Sequence, residues 1–127
     1  GLDPLSREEF CDILLEIVRE QEVSVLFSTH ITSDLMRIAD DIVYISQGKL
    51  LLGQPLQQLL CKYSLAHFSC LERAKETNAI GIKAVKDGYE GLLLRGESVA
   101  GDVVLTDATI DHIMVHLERA QREAGVC

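Results

Sequence analysis

The sequence predicts a mixed α/β protein followed by a smaller α+β element, and the first half carries most of that prediction. The run 23–28 is almost continuously apolar and rich in β-branched and aromatic residues, which is typical of a strand covered on both faces, as in parallel sheets. Segments with apolar residues at helical spacing lie on both sides of it, and a further strand follows at 42–46. This order predicts a βαβ-like unit at the edge of a larger sheet, whose other strands we expect before residue 1.

The first helix is predicted from a capping signal and a periodic apolar face. Ser6 and Glu9 have the spacing of a capping box, in which each side chain accepts a hydrogen bond from the backbone N–H of the other residue. The helix is expected to end near Gln21. Its apolar face consists of Phe10, Ile13, Leu14, Ile17 and Val18.

A second helix and a hairpin are predicted next. Apolar residues at helical spacing indicate a helix over 33–39. The strand at 42–46 is followed by the turn pair Gln47-Gly48 and by a return strand over 49–52. Because the turn is so short, these two strands are expected to be antiparallel neighbours.

The pair Gln54-Pro55 marks the clearest boundary, because proline suits the first turn of a new helix. We therefore divide the sequence into regions 1–54 and 55–127. The second region is predicted to begin with a helix over 56–62 and a strand over 65–71.

The remainder of the second region is predicted to contain a hairpin between two helices. A short polar helix is expected over 71–77. Two strands, 80–85 and 89–95, flank Asp87-Gly88, a pair that tolerates the positive φ angles of tight hairpin turns. A last helix opens at Thr109. Its apolar stripe contains Ile110, Ile113, Met114 and Leu117.

Charge and cysteine usage narrow the function classes. The net charge of −8 argues against nucleic acid as a partner, because phosphate contacts need a basic face. The four cysteines are widely spaced and form no CxxC motif, so we expect them to be reduced, with a disulfide or a zinc site as the alternative. Cys11 and Cys61 lie in predicted helices, where both are expected to act as small apolar residues.

His112 and His116 on the last helix have a spacing that could bind a metal from one face. Arg119 continues the same row, however, while the apolar stripe lies elsewhere. We therefore predict that this row is a solvated helix face and that the chain has no metal site.

Two motifs flank the first predicted helix and strand. Gly1-Leu2-Asp3-Pro4 precedes the helix, and Ser28-Thr29-His30 follows the strand, with Ser33-Asp34 three residues later. This order resembles the end of the nucleotide-binding domain of ABC transporter ATPases, where a D-loop is followed by a lone H-loop histidine. The resemblance implies that region 1–54 is the edge of a P-loop NTPase (RecA-like) core.

His30 is the sharpest candidate for chemistry. It follows the end of a predicted buried strand, where open α/β sheets place their ligand sites. The resemblance implies that it is the H-loop histidine, which bonds the γ-phosphate of ATP and orients the attacking water. Imidazole suits this role because one nitrogen can donate to phosphate while the other is held by a neighbour. The alternative is a histidine with a purely structural role in a loop.

Asp3 is implied by the same resemblance to be the D-loop aspartate. In the family's closed dimer of ATPase subunits, that residue lies across the interface near the partner's Walker A loop. The alternative is an aspartate in a turn before Pro4, which is a common arrangement without a functional role.

Several ATPase motifs do not occur in the sequence. No GxxxxGK[ST] loop, LSGGQ-like signature or apolar strand ending in Asp-Glu is present. The resemblance implies that these parts precede Gly1 in a longer parent protein, which would use ATP and magnesium. Because phosphoryl transfer needs positioning and charge neutralisation, we expect the chain alone to bind no cofactor and to hydrolyse no ATP.

The segment 108–115 resembles the tails of ATPase subunits from bacterial exporters. The D-loop and H-loop resemblance implies a cytoplasmic subunit at the inner face of the membrane that couples ATP hydrolysis to a permease, and the tail resemblance implies export as the direction. The alternative is a non-catalytic dimerisation or regulatory module. Because Val25 and Phe27 would be left uncovered, we also expect the chain to form a homo-oligomer through its N-terminal half.

Overall fold

The computed structural model describes residues 3–124. It divides into two units, of which the first ends at Asp40 and the second begins at Asp41. The mixed α/β class is confirmed, although the strands lie only in the second unit within the described part of the chain. The hairpin assigned to region 1–54 therefore belongs structurally with the C-terminal unit. Whether the ABC-like region ends at residue 54 stays a prediction.

The first unit consists of α1 (Pro4–Gln21), α2 (Thr32–Ile38) and the segment between them. The N-cap of α1 is Asp3, whose Oδ1 accepts a hydrogen bond from the Ser6 backbone N–H at 2.7 Å. The predicted cap at Ser6 is therefore wrong, since Ser6 lies inside the helix. Asp3 is the N-cap because Pro4 occupies the first helical position, where the fixed φ of proline suits the helix and its missing N–H costs nothing.

The predicted strand over 23–28 is wrong. Residues 22–29 run between the two helices without forming a strand, and the side chain of Leu26 is 99% exposed. A strand depends on hydrogen bonds to a neighbouring strand, and none of the described residues supplies one here. The βαβ-like unit predicted from this run is therefore absent from the described residues.

The second unit begins with an antiparallel hairpin of β1 (Asp41–Ser46) and β2 (Lys49–Pro55). Its turn residues, Gln47 and Gly48, both have positive φ, as a two-residue hairpin turn requires. The predicted hairpin is confirmed, and β2 runs three residues further than expected, directly into α3 (Leu56–Lys62). Pro55 is the N-cap of α3, as its position before the helix suggested.

The main sheet has four strands in the order β4-β5-β3-β6, and every pairing is antiparallel. The strands are β3 (Tyr63–Phe68), β4 (Ile80–Val85), β5 (Gly88–Leu94) and β6 (Val104–Asp107). The predicted hairpin around Asp87-Gly88 is confirmed. β6 was not predicted, because four residues after a loop give too little pattern to be recognised as a strand.

Helices cover both faces of this sheet. The short α4 (Leu71–Lys75) contributes Ala74 to a buried cluster with Phe68 and Leu93. The long α5 (Ile110–Ala124) packs on β4 and β5 and contacts Glu90 through His116. Because residues three apart on a strand point to opposite sides, Leu93 and Glu90 place the two helices on opposite faces.

The contact between α5 and β4 is built around a bulge. The register of β4 against β5 shifts between Ile80 and Lys83, and Gly81 has a φ of 64°. A glycine in this conformation is typical of a bulge, which frees backbone groups from the ladder. A Cβ on Gly81 would also collide with the backbone carbonyl of His116, so α5 lies directly on the bulge.

His116 is fully buried, so the predicted solvated face for the His112–His116 row is wrong. Its Nδ1 lies 2.7 Å from the Gly81 carbonyl oxygen and its Nε2 lies 3.2 Å from Oε1 of Glu90. Arg119 also turns toward β4 and donates from Nε to the Ile82 carbonyl at 3.0 Å. The polar row therefore bonds the helix to the backbone that the bulge exposes.

Cys11, Cys61 and Cys70 are free thiols, as expected, whereas Cys127 lies outside the described residues. Cys11 is buried, and burial raises the pKa of its thiol, with a further contribution from the charge of Asp34. Cys61 is exposed, so its predicted role as an apolar packing residue is wrong. Among residues 3–124, no helix is long and apolar enough to cross a membrane.

Candidate functional site

His30 lies in the first unit, at a bend between the extended segment and α2, and its side chain is exposed. The backbone around it is held by short-range bonds. The Ile31 N–H donates to Oγ1 of Thr29 at 3.0 Å, and the Asp34 N–H donates to the Ile31 carbonyl at 3.2 Å. The Thr29 hydroxyl and the first turn of α2 therefore fix the chain on the C-terminal side of His30, while the imidazole faces solvent.

The two helices of this unit are joined by an ion pair. Nε of Arg7 on α1 lies 3.7 Å from Oδ2 of Asp34 on α2, and the Asp34 side chain is 15% exposed. Cys11, one helical turn after Arg7, is buried. The ion pair thus joins α1 to α2, the helix that directly follows His30, and the two helices are in contact.

Asp3 lies at the N-terminus of α1, where it has a definite structural role. The hydrogen bond from the Ser6 N–H lowers the pKa of its carboxyl group. Its backbone carbonyl also accepts the Arg7 N–H at 3.0 Å. The residue is exposed, so the capped carboxyl group stays in contact with solvent. The other D-loop residues predicted here, Gly1 and Leu2, lie outside the described residues.

The structure places Asp3 and His30 in the same unit but does not bond them to each other. In the described part of the chain, no hydrogen bond or ion pair joins their side chains. Two surface grooves of about 200 and 570 Å³ both lie in the second unit, and neither is lined by Asp3 or His30. An exposed imidazole can donate to a phosphate brought to it, but these residues alone do not enclose a ligand.

The described residues contain no group of three or more His, Cys, Asp or Glu side chains placed to hold a metal ion. His112, one of the two candidate ligands considered above, instead accepts a hydrogen bond at Nδ1 from the Thr109 N–H at 3.1 Å. His112 therefore bonds to the backbone at the start of α5, whereas the buried His116 bonds to Gly81 and Glu90 of the main sheet.

The support for the His30 bend was missed at the level of sequence. In the sequence, Arg7 lies between Ser6 and Glu9 of the predicted capping box, and Asp34 lies in the motif that follows His30. Their pairing depends on how α1 and α2 cross, which no local pattern reports. The signal that was available is that both residues are charged and each lies within about one turn of a motif residue.

Comparison with known proteins gives a consistent family. No protein-family model matches the chain, and no solved structure matches it. In contrast, 27 curated proteins match. The thiamine import ATP-binding protein ThiQ of Photobacterium profundum is 37% identical over 60 residues, which cover 47% of this chain and 25% of that protein.

Two further relatives are described as uncharacterized ABC transporter ATP-binding proteins. The one from Synechocystis is 37% identical over 60 residues, covering 47% of this chain and 17% of that protein. The one from Nostoc is 34% identical over 67 residues, covering 53% of this chain and 20% of that protein. The chain thus matches about a quarter or less of the length of these relatives, and about half of it is homologous to the ATP-binding proteins of ABC transporters.

Proposed function

We propose that this chain is part of the ATP-binding subunit of an ABC transporter and that His30 acts at the γ-phosphate of bound ATP. The observation that carries the proposal is the match of about half the chain to such subunits, together with an exposed histidine in the motif that the family uses. In this role His30 donates a hydrogen bond to a terminal phosphate oxygen and helps position the attacking water. Asp3, at the start of α1, faces the second subunit of an ATPase dimer.

One structural observation supports a role for His30 at a phosphate that other parts of the protein hold. Thr29, the α2 turn and the Arg7–Asp34 pair fix the backbone at His30, while the imidazole itself stays exposed. A side chain that contacts a phosphate held elsewhere in the protein needs both a fixed backbone and an exposed ring. ATP and magnesium would be held by those other parts, and a membrane permease and a second ATPase subunit are the proposed partners, which places the protein on the cytoplasmic side of the membrane.

The test is the His30→Ala variant of the complete ATP-binding subunit. We expect turnover to fall by about 100-fold or more, because a donor aimed at developing charge acts mainly on the transition state. Nucleotide affinity should change by less than about threefold, because the ground state is held by other loops. ATP hydrolysis and binding of a fluorescent ATP analogue are measured on the same preparation.

His112→Ala is the matched control, since it removes a histidine of the second unit that is bonded to Thr109. It should leave turnover unchanged. Normal turnover in the His30→Ala variant would overturn the assignment, and equal losses of binding and turnover would show that His30 has a structural role instead.

Two observations bear on the direction of transport, and they favour opposite directions. The resemblance of segment 108–115 to exporter tails favours export, whereas five of the relatives are thiamine import ATP-binding proteins. Export therefore stays a prediction of the tail alone. Transport by the subunit with its permease in inverted vesicles would decide it, because ATP-driven accumulation of substrate inside such vesicles indicates export.

A non-catalytic role is supported by one observation on the second unit. That unit has its own buried core and needs no residue of the first unit to complete its sheet. It is therefore suited to act as an interaction module attached to an ATPase core.

A further inference from the structure

The two edges of the four-stranded sheet are built differently. On β4, the bulge at Gly81 interrupts the regular ladder. The carbonyl oxygens of Gly81 and Ile82 are hydrogen-bonded to His116 and Arg119 of α5. Bulges and covering helices are devices that keep an edge strand from pairing with another chain. The β4 edge is therefore closed to a further strand.

The β6 edge has none of these devices. Its register against β3 is regular from Val104 to Asp107. All four residues are exposed, including Val104 at 56% and Leu105 at 42%. The strand contains no proline and no lysine. In an antiparallel ladder, alternate residues of such an edge direct their N–H and C=O groups away from the sheet, where another strand can bond them.

Ion pairs hold this open edge at both ends. Before the strand, Oδ2 of Asp102 lies 3.1 Å from Nε of Arg73 on α4. At its last residue, Oδ1 of Asp107 lies 3.3 Å from Nη2 of Arg95, which follows β5. Because the strand is already ordered, a partner strand that pairs with it does not have to offset the entropy of ordering it.

We propose that β6 is a self-association surface, on which β6 of a second copy of this chain pairs antiparallel and joins the two sheets into one. A strand edge is complementary to itself about a twofold axis, so both copies use the same residues. The two exposed apolar side chains, Val104 and Leu105, would be covered in both copies at once.

The position of charge favours a second copy as the occupant. Asp107 is the single charged residue of β6. In an antiparallel pairing centred on Leu105, Asp107 faces Val103 of the second copy, and in one centred on Thr106 it faces Leu105. Neither register opposes the two aspartates, which would destabilise the pairing. This surface lies in the second unit and does not depend on the proposed ATPase role.

The experiment measures the mass of the full chain by sedimentation velocity over a wide concentration range. We expect a reversible monomer–dimer equilibrium. Thr106→Lys places a charge in the middle of the exposed strand and should weaken the dimer by at least about 10-fold. Ala84→Lys, an equivalent change at an exposed residue of the closed β4 edge, should leave it unchanged.

Leu26→Lys tests the rival surface in the first unit, where Leu26 is 99% exposed, and should also leave the dimer unchanged. Hydrogen exchange of the unmodified chain gives a second readout that needs no variant. Amides of 104–107 should become protected as concentration rises. A chain that stays monomeric, a dimer lost in Leu26→Lys but kept in Thr106→Lys, or concentration-dependent protection outside β6 would each overturn the proposal.

Discussion

The two units bury their apolar residues to very different extents. In the second unit, Phe68, Leu59, Leu92 and Ile110 are fully buried between the sheet and its helices. In the first unit, Cys11 is the one buried residue among those described, while Leu5, Phe10, Ile13 and Leu26 are each half or more exposed. The unit with a closed core carries no recognisable ATPase motif, and the unit with the motifs leaves many of its large apolar side chains exposed.

This difference shows that the residues that specify a closed fold and the residues of the ATPase motifs lie in different parts of the chain. The C-terminal sequence contains its own fold, because each of its strands has a partner strand and each helix a surface to cover. The N-terminal sequence contains motif residues on a scaffold of two helices. Variants in the two units should therefore have unequal effects on stability.

The largest effect is expected for Phe68→Ala. Phe68 has no exposed surface and packs in the cluster with Ala74 and Leu93, so its loss should lower the free energy of unfolding by about 3–5 kcal/mol. Phe27→Ala, the same change at a residue that is 36% exposed in the first unit, should cost less than about 1 kcal/mol. Urea denaturation followed by circular dichroism measures both, and equal losses would contradict the contrast between the units.

Gly81→Ala should have the next largest effect. The substitution forces an L residue to adopt a φ of 64° and drives a Cβ into the His116 carbonyl. We expect a loss of about 2–4 kcal/mol, the sum of strain and displacement of α5. Gly48→Ala has a similar φ of 75° but no atom within 4 Å of the new Cβ. It should cost about 1 kcal/mol, and thermal unfolding of the pair separates the collision from the backbone strain.

Glu118→Gln should have a smaller effect that depends on pH. Hydrogen bonds from the Tyr44 hydroxyl, and then from Ser46 at 2.8 Å, lower the pKa of the Glu118 carboxyl group, while burial raises the pKa of Tyr44. A lowered pKa in the folded state stabilises the protein above the ordinary value of 4.5, and this stabilisation is lost as pH falls through the folded value.

We therefore expect Glu118→Gln to cost about 1–2 kcal/mol at pH 7 and progressively less in acid. Glu123→Gln, on the same helix but with a side chain 60% exposed, is the control and should be nearly neutral. Denaturant titrations between pH 3 and pH 7 would count against the account if the cost of Glu118→Gln grew as the pH fell.

The smallest expected effect is that of Mg-ATP on the chain itself. Asp3 and His30 line neither of the two grooves described above, and the sequence has no phosphate loop. We expect a dissociation constant in the millimolar range or weaker, which means a binding free energy no more favourable than about −4 kcal/mol. Isothermal titration with Mg-ATP measures it, and a value near 10 μM would show that the described units do form a nucleotide site.

Local signals in the sequence predicted the second unit well. Pro55 marked the start of α3, and the turn pairs Gln47-Gly48 and Asp87-Gly88 marked both hairpins, because proline fixes φ and glycine permits the positive φ of tight turns. The cap of α1 could also have been assigned correctly, since Asp3 directly precedes a proline. The spacing of Ser6 and Glu9 satisfies a stronger consensus, which favours Ser6 as the cap.

Long-range features could not be predicted in the same way. The run 23–28 has the composition of a buried strand, but composition does not supply the neighbouring strand that makes one. His116 lies in a row with Arg119, which suggested solvent, whereas the bulge at Gly81 gives both side chains backbone carbonyls to bond. At the candidate site, the family motif located His30, but the Arg7–Asp34 pair that supports it depends on the crossing of two helices.

Hydrogen exchange of the full chain at low concentration tests the contrast between the units most directly. The account predicts strong protection of backbone amides in β3 and β5, at the centre of the closed sheet, and rapid exchange throughout 22–29. Protection of 22–29 equal to that of β3 and β5 in the monomeric chain would show that the first unit buries this segment, and would contradict the account.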